Sequence, residues 1–214
     1  MAKRFRTVWS SLVQFVGSPT DGRYPGKTNI DKLKDVLCLI GIQFLLLIPA
    51  SMIVGLLEEF GNLNLPDHKL EEFFQDAGPA MMILMGVILA PLLEELIFRT
   101  FITLRRFYPL LFFIASGNRK NQNLRIRKVF GIWKTLFPVL VYVSAVLFGY
   151  VHVFNFEDDI SLWKAPFAVL PQLILGFTLA FTRVRYGLVW SMLNHAIWNL
   201  IPISILIAFP DIAK

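Results

Sequence analysis

The stretch VLCLIGIQFLLLIPASMIVGLL, residues 36–57, decides the fold class. Its 22 residues carry no charge. At 1.5 Å per residue a helix of that length covers roughly 33 Å, about one hydrocarbon core. Four more apolar runs follow: Pro79 to about Arg105–Arg106, Thr135–Phe156, Ala165–Thr182 and Gly187–Pro210. The expected architecture is therefore an all-α, polytopic membrane helix bundle with about five transmembrane spans. Of the 214 residues 56% are apolar and only 17% charged. That excludes disorder, and a single cysteine, Cys38, excludes an internally disulfide-bonded scaffold.

Charge comes in blocks between these runs. All eight charges between Ile102 and Leu136 are basic, whereas Glu58–Asp76 holds six acids against one lysine. The basic N-terminus, the 105–134 segment and Arg183/Arg185 then fall on the cytoplasmic side, and the 58–76 and 157–164 loops fall opposite. Residues 1–35 are expected as a basic cytoplasmic or interfacial segment and 36–210 as the transmembrane domain. The short apolar patch Leu110–Ala115 is expected as a re-entrant or amphipathic piece. Basic residues set between apolar spans do not form the soluble face that nucleic acid needs, so nucleic acid is excluded as a partner. Lipid is expected as one. The segment Phe5–Val16 is too short to span and lacks a small-residue cleavage site, so no signal peptide is read there.

Polar groups inside the spans point to chemistry, because each costs about 2.5–3.5 kcal/mol to insert. The second span holds Glu94, Glu95 and Arg99, the third His152, and the fifth Asn194, His195 and Asn199. Glu95 and Arg99 share a helix face and are placed to pair, while Glu94 is turned about 100° away. His195 and Asn199 share another face, and Phe148 stands one turn from His152. Counted from the basic or proline anchors, Glu94, His152 and His195 lie roughly 17, 21 and 15 Å deep, close to one level. A shielded glutamate beside histidine suits activation of water, with imidazole and amide N–H groups for an oxyanion. The set Glu94, His152 and His195 also offers three zinc ligands with an open fourth position. No H-E-x-x-H helix is present, so zinc and a metal-free glutamate both stay open. Pro91, three residues before Glu94, is expected to kink its helix and release a carbonyl near the site.

Three motifs carry a resemblance. Glu94-Glu95-Leu96-Ile97-Phe98-Arg99 resembles the E-E-x-x-x-R motif of the CPBP family, the CAAX prenyl endopeptidase and bacteriocin-processing (Abi) membrane proteases. Phe148–His152 resembles its F-x-x-x-H motif, and His195–Asn199 its H-x-x-x-N motif. They occur in order over roughly residues 79–209. The resemblance implies an all-helical intramembrane endopeptidase acting on a peptide or prenylated protein; compact size and the absence of organelle-targeting signals fit a bacterial inner membrane. In that reading Glu94 and His152 activate water, and His195 and Asn199 bind the oxyanion or position the water. Glu95, Arg99 and Phe148 support them. The family is commonly labelled metalloprotease, yet Asn199 is a better oxyanion donor than zinc ligand. Thr100 stands where many members have glycine, and the basic 117–134 segment looks like an insertion, read as a solvated cytoplasmic loop or a lipid-headgroup patch. The competing functions are a non-catalytic scaffold or immunity-type protein that keeps a polar core, and a proton-coupled transporter. No internal repeat supports the transporter.

Overall fold

The computed structural model describes residues 2–61, 63–66, 78–103 and 122–209, with 122 and 123 as backbone only. The Leu110–Ala115 patch, Arg105–Arg106 and the acidic residues 67–76 lie outside the described residues. Six helical elements follow in order. They are α1 (Ala2–Gly17), α2 (Asn29–Phe60), α3 (Pro79–Arg99), α4 (Gln122–Val151), α5 (Leu170–Arg185) and α6 (Leu188–Ala208). There is no strand among the described residues. Among the described residues four helices are long and apolar enough to cross a membrane: α2, α3, α4 with the turn that follows it, and α6. The chain is a helical membrane bundle.

The fourth expected span, Ala165–Thr182, takes a different form. Ala165–Ala168 make a single turn, the chain breaks at Val169, and α5 runs only 16 residues. At roughly 24 Å it is short for a bilayer, but it is the inner helix of the bundle. It packs on α4 most extensively and also on α1, α2 and α6. Thr178, Thr182 and Arg183 are buried on it. Polar groups are tolerated there because neighbouring helices shield them from lipid. The Gln43 side-chain amide donates to Thr178 Oγ1, and Asn194 Nδ2 donates to Thr182 Oγ1 at 3.1 Å.

The third expected span is also displaced. α4 begins at Gln122 instead of residue 135, so the basic stretch 122–134 is helix and not loop. Its only glycine, Gly131, does not break the helix, and its lysines and arginines are good helix formers. At the other end, α4 stops at Val151, and His152–Asn155 form a tight 3₁₀ turn. His152 therefore sits in the turn that ends α4, still within the candidate span Leu124–Asn155.

α1 is held to the bundle. Val8, Leu12 and Phe15 on one face are buried in a cluster with Leu39 and Ile42 of α2 and with Phe181 and Val184 of α5. The link from α1 to α2 is held in turn by Arg185, which donates to Gly22 O at 2.7 Å and Thr20 O at 3.2 Å.

Candidate active site

α3 brings the two glutamates in on an irregular helix. Ile83–Leu89 have π-helical geometry, and Ala90 N–H bonds Met85 O, five residues back. The irregular run ends two residues before Pro91, which stands in the first turn of the α-helix that follows. Regular α-geometry resumes over Ala90–Arg99 and separates the adjacent glutamates: Glu94 is partly exposed, while Glu95 is fully buried.

Three helical elements meet at Glu94. Its Oε2 lies 3.7 Å from His195 Nε2 on α6 and 4.0 Å from His152 Nε2 in the turn after α4. It has no hydrogen-bond partner. The side chains are 26% exposed at Glu94, 16% at His152 and 2% at His195, so Glu94 and His152 form the reachable edge and His195 the wall. His152 is oriented by its own helix, with Nδ1 2.8 Å from Phe148 O. An Nδ1–H donating to that carbonyl leaves Nε2 turned toward Glu94 as an acceptor.

His195 has a carboxylate on each side. Its Nδ1 is 3.6 Å from Glu95 Oε1, and its Nε2 faces Glu94. Ser191, one turn before it on α6, bonds the second oxygen of Glu95. Ser191 escaped the sequence reading, although its i,i+4 spacing to His195 is a signal that could have found it.

Arg99 organises the helices. The expected pair with Glu95 is present at 3.8 Å between two fully buried side chains. Its hydrogen bonds go elsewhere: Nη1 donates to Ser144 Oγ at 2.7 Å and Ser144 O at 3.1 Å, and Nη2 to Gly176 O at 3.2 Å. The guanidinium also lies 4.7 Å over the Phe148 ring. Phe148 in turn contacts both imidazoles, at centroid distances of 5.1 Å to His152 and 5.5 Å to His195. One aromatic wedge therefore sets both histidines against Glu94. Two glycines let α4 and α5 approach closely enough for this: a Cβ on Gly176 would stand 2.8 Å from Ala145 O, and one on Gly149 2.5 Å from Leu173 Cδ2. Arg183 closes the far end of α3 by donating from Nε to Arg99 O at 2.9 Å. It is a buried helix cap, not a solvated charge of the turn.

Asn199 lies one turn beyond His195, and its Nδ2 donates to Gly86 O of α3 at 2.8 Å. The structure thus brings Glu94, Glu95, Arg99, Phe148, His152 and His195 together, and ties Asn199 to the helix that bears the glutamates.

The three zinc-ligand candidates, Glu94, His152 and His195, stand side by side, with carboxylate-to-imidazole distances somewhat wider than a bound zinc sets. Among the described residues no group of three His, Cys, Asp or Glu is arranged to hold an ion. Tetrahedral zinc with bonds near 2.0–2.1 Å sets its donors about 3.3 Å apart, closer than the 3.7 and 4.0 Å found here.

Residues 76–201, more than half of the chain, match the family model described as type II CAAX prenyl endopeptidase, Rce1-like. The chain belongs to the Rce1-like family. No curated protein and no solved structure matches it. The matched range contains all three motifs and every residue described above at Glu94. Membership in the Rce1-like family, with the apolar helices, supports an integral membrane protein and a protease of the CAAX type.

Proposed function

We propose that the protein is an intramembrane endopeptidase that hydrolyses a peptide bond with water activated by Glu94 and His152. The observation that carries this reading is Glu94 Oε2, a buried oxygen that faces two imidazole nitrogens without a hydrogen-bond partner, on a side chain 26% exposed at the edge of the site. A 4.0 Å gap between carboxylate and imidazole is narrow enough for one water to touch both. Glu94 takes a proton from that water, and the hydroxide oxygen adds to the scissile carbonyl carbon. The carbonyl oxygen becomes an oxyanion, for which His195 Nε2–H is the nearest donor, with the Asn199 amide on the same helix face. Collapse breaks the C–N bond, and the proton held by Glu94 passes to the leaving amine. His152, with its ring fixed by Phe148 O, orients the water.

The substrate class follows from the family: a prenylated protein or peptide presented at the bilayer, cut within the transmembrane domain formed by residues 36–210. The basic blocks favour a cytoplasmic N-terminus, and the compact size fits a bacterial inner membrane. Asn199 is a better oxyanion donor than zinc ligand, so the metal-free glutamate route is favoured and cleavage is expected to resist chelators.

The test uses the purified protein in detergent with a peptide library that includes prenylated peptides. Wild type is assayed beside Glu94→Ala, with and without chelator. Chelator-resistant cleavage that disappears in the mutant supports the proposal. Stoichiometric zinc with chelator-sensitive cleavage would replace the metal-free route. No cleavage by folded wild type would favour a non-catalytic scaffold.

A further inference from the structure

α3 leaves one carbonyl unpaired by its own geometry. In an α-helix Gly86 O accepts from the amide of residue 90, and in a π-helix from that of residue 91. Here Ala90 N–H bonds Met85 O, and residue 91 is proline, which has no N–H. Neither amide serves Gly86 O. The Asn199 side chain of α6 does, at 2.8 Å. The same stretch of α3 is seated on α6 by apolar packing: Met82 and Val87 are buried with Ile203, against Ala196, Leu206 and Ile207. An unpaired carbonyl in an apolar surrounding carries a desolvation penalty, so the π-run persists only where a donor meets it.

We propose that Asn199 is a positioning residue: its amide pairs the carbonyl that the π-run and Pro91 leave open, and so holds the rotation at which α3 presents Glu94 and Glu95. Each residue of register gained or lost across the run turns everything after it by about 100°. Gly86 lies eight residues before Glu94, so a change there turns Glu94 away from both imidazoles without touching either. This role stands beside any contact of Asn199 with substrate.

The experiment is a double-mutant cycle of Asn199→Ala and Pro91→Ala in the full chain. Pro91→Ala restores the amide that continues the five-residue bonding pattern onto Gly86 O, so it supplies the donor that Asn199→Ala removes. Asn199→Ala alone is expected to lower Tm by about 3–10 °C and kcat by about tenfold or more, with KM little changed. Pro91→Ala alone is expected to change both little. The double variant is expected to regain at least about half of the lost Tm and about threefold or more in kcat per folded molecule. Losses that simply add, with no recovery in Tm or kcat, would overturn the proposal. If Asn199→Ala yields no folded protein, recovery of folded protein in the double variant supports it, and continued failure overturns it. The kinetic arm rests on the peptidase reading and the melting arm does not. If wild type cleaves nothing, the function fails while the Tm cycle still decides the role of Asn199.

Discussion

Two carboxylates in this molecule, Asp35 and Glu94, have opposite surroundings. Asp35, near the start of α2, is 1% exposed and fully engaged. It accepts from Arg4 at 3.0 Å, from Tyr186 at 2.9 Å and from Lys27. Those bonds tie α1, the 18–28 link and the α5–α6 turn to α2. Glu94 faces two histidines at 3.7 and 4.0 Å and accepts no hydrogen bond at Oε2. A saturated carboxylate has its lone pairs committed to holding helices together. An unsaturated one, kept at the edge of a site, has lone pairs left for a reactant, and its environment costs stability. The comparison teaches that contact lengths sort structural from chemical carboxylates where residue type alone does not.

The comparison breaks first at the histidines. His152→Ala is expected to lower kcat by about a thousandfold and His195→Ala by about a hundredfold or more, each with Tm within about 2 °C of wild type. A peptidase assay beside thermal melting checks both. A large loss of stability instead would move the histidines into the class of Asp35.

Asp35→Asn should do the reverse. It leaves Arg4 and Lys27, each about a third exposed, without their shared anion. After allowance for solvent the cost is about 1–3 kcal/mol, or roughly 3–10 °C in Tm. kcat per folded molecule should stay within about twofold of wild type. A third variant, Gly176→Ala, joins the two regions. Its Cβ meets the backbone oxygen of Ala145, so α4 must move from α5. That overpacking costs about 1–3 kcal/mol and shifts Phe148 between the imidazoles. Stability and activity should fall together, as neither does in the variants above.

The smallest effect is at high pH. Burial, and then the neighbouring Asp35, push the Tyr186 hydroxyl well above its ordinary range. A raised pKa in the folded state means that its contribution is complete below the unfolded value, near 10, and declines as pH rises past it. Melting curves of wild type should therefore show stability declining above about pH 10, and Tyr186→Phe should flatten that decline. An unchanged slope in the variant would remove Tyr186 from the latch.

Much of this was legible in the sequence. The uncharged runs marked α2, α3 and α6, and three short motifs named the groups that meet at Glu94. Those signals are local: span length, helical spacing and the cost of charge in lipid. What escaped depends on contacts between helices. The π-run at Ile83–Leu89 is held through Asn199 from another helix. Arg99 reads as the partner of Glu95, yet its bonds lie on Ser144 and Gly176, 45 and 77 residues away. The extension of α4 through the basic stretch escaped because charge density was taken to mark a loop, while helix propensity there favours continuation.

The most direct test is Glu94→Gln beside Asp35→Asn, each measured for cleavage of one peptide substrate and for Tm in the same detergent. The substitution is near-isosteric in both cases and removes the carboxylate alone. The account predicts that Glu94→Gln loses about a thousandfold or more in kcat at unchanged Tm, while Asp35→Asn loses Tm and keeps its kcat. Cleavage by Glu94→Gln within about tenfold of wild type, at the same folded fraction, would contradict it.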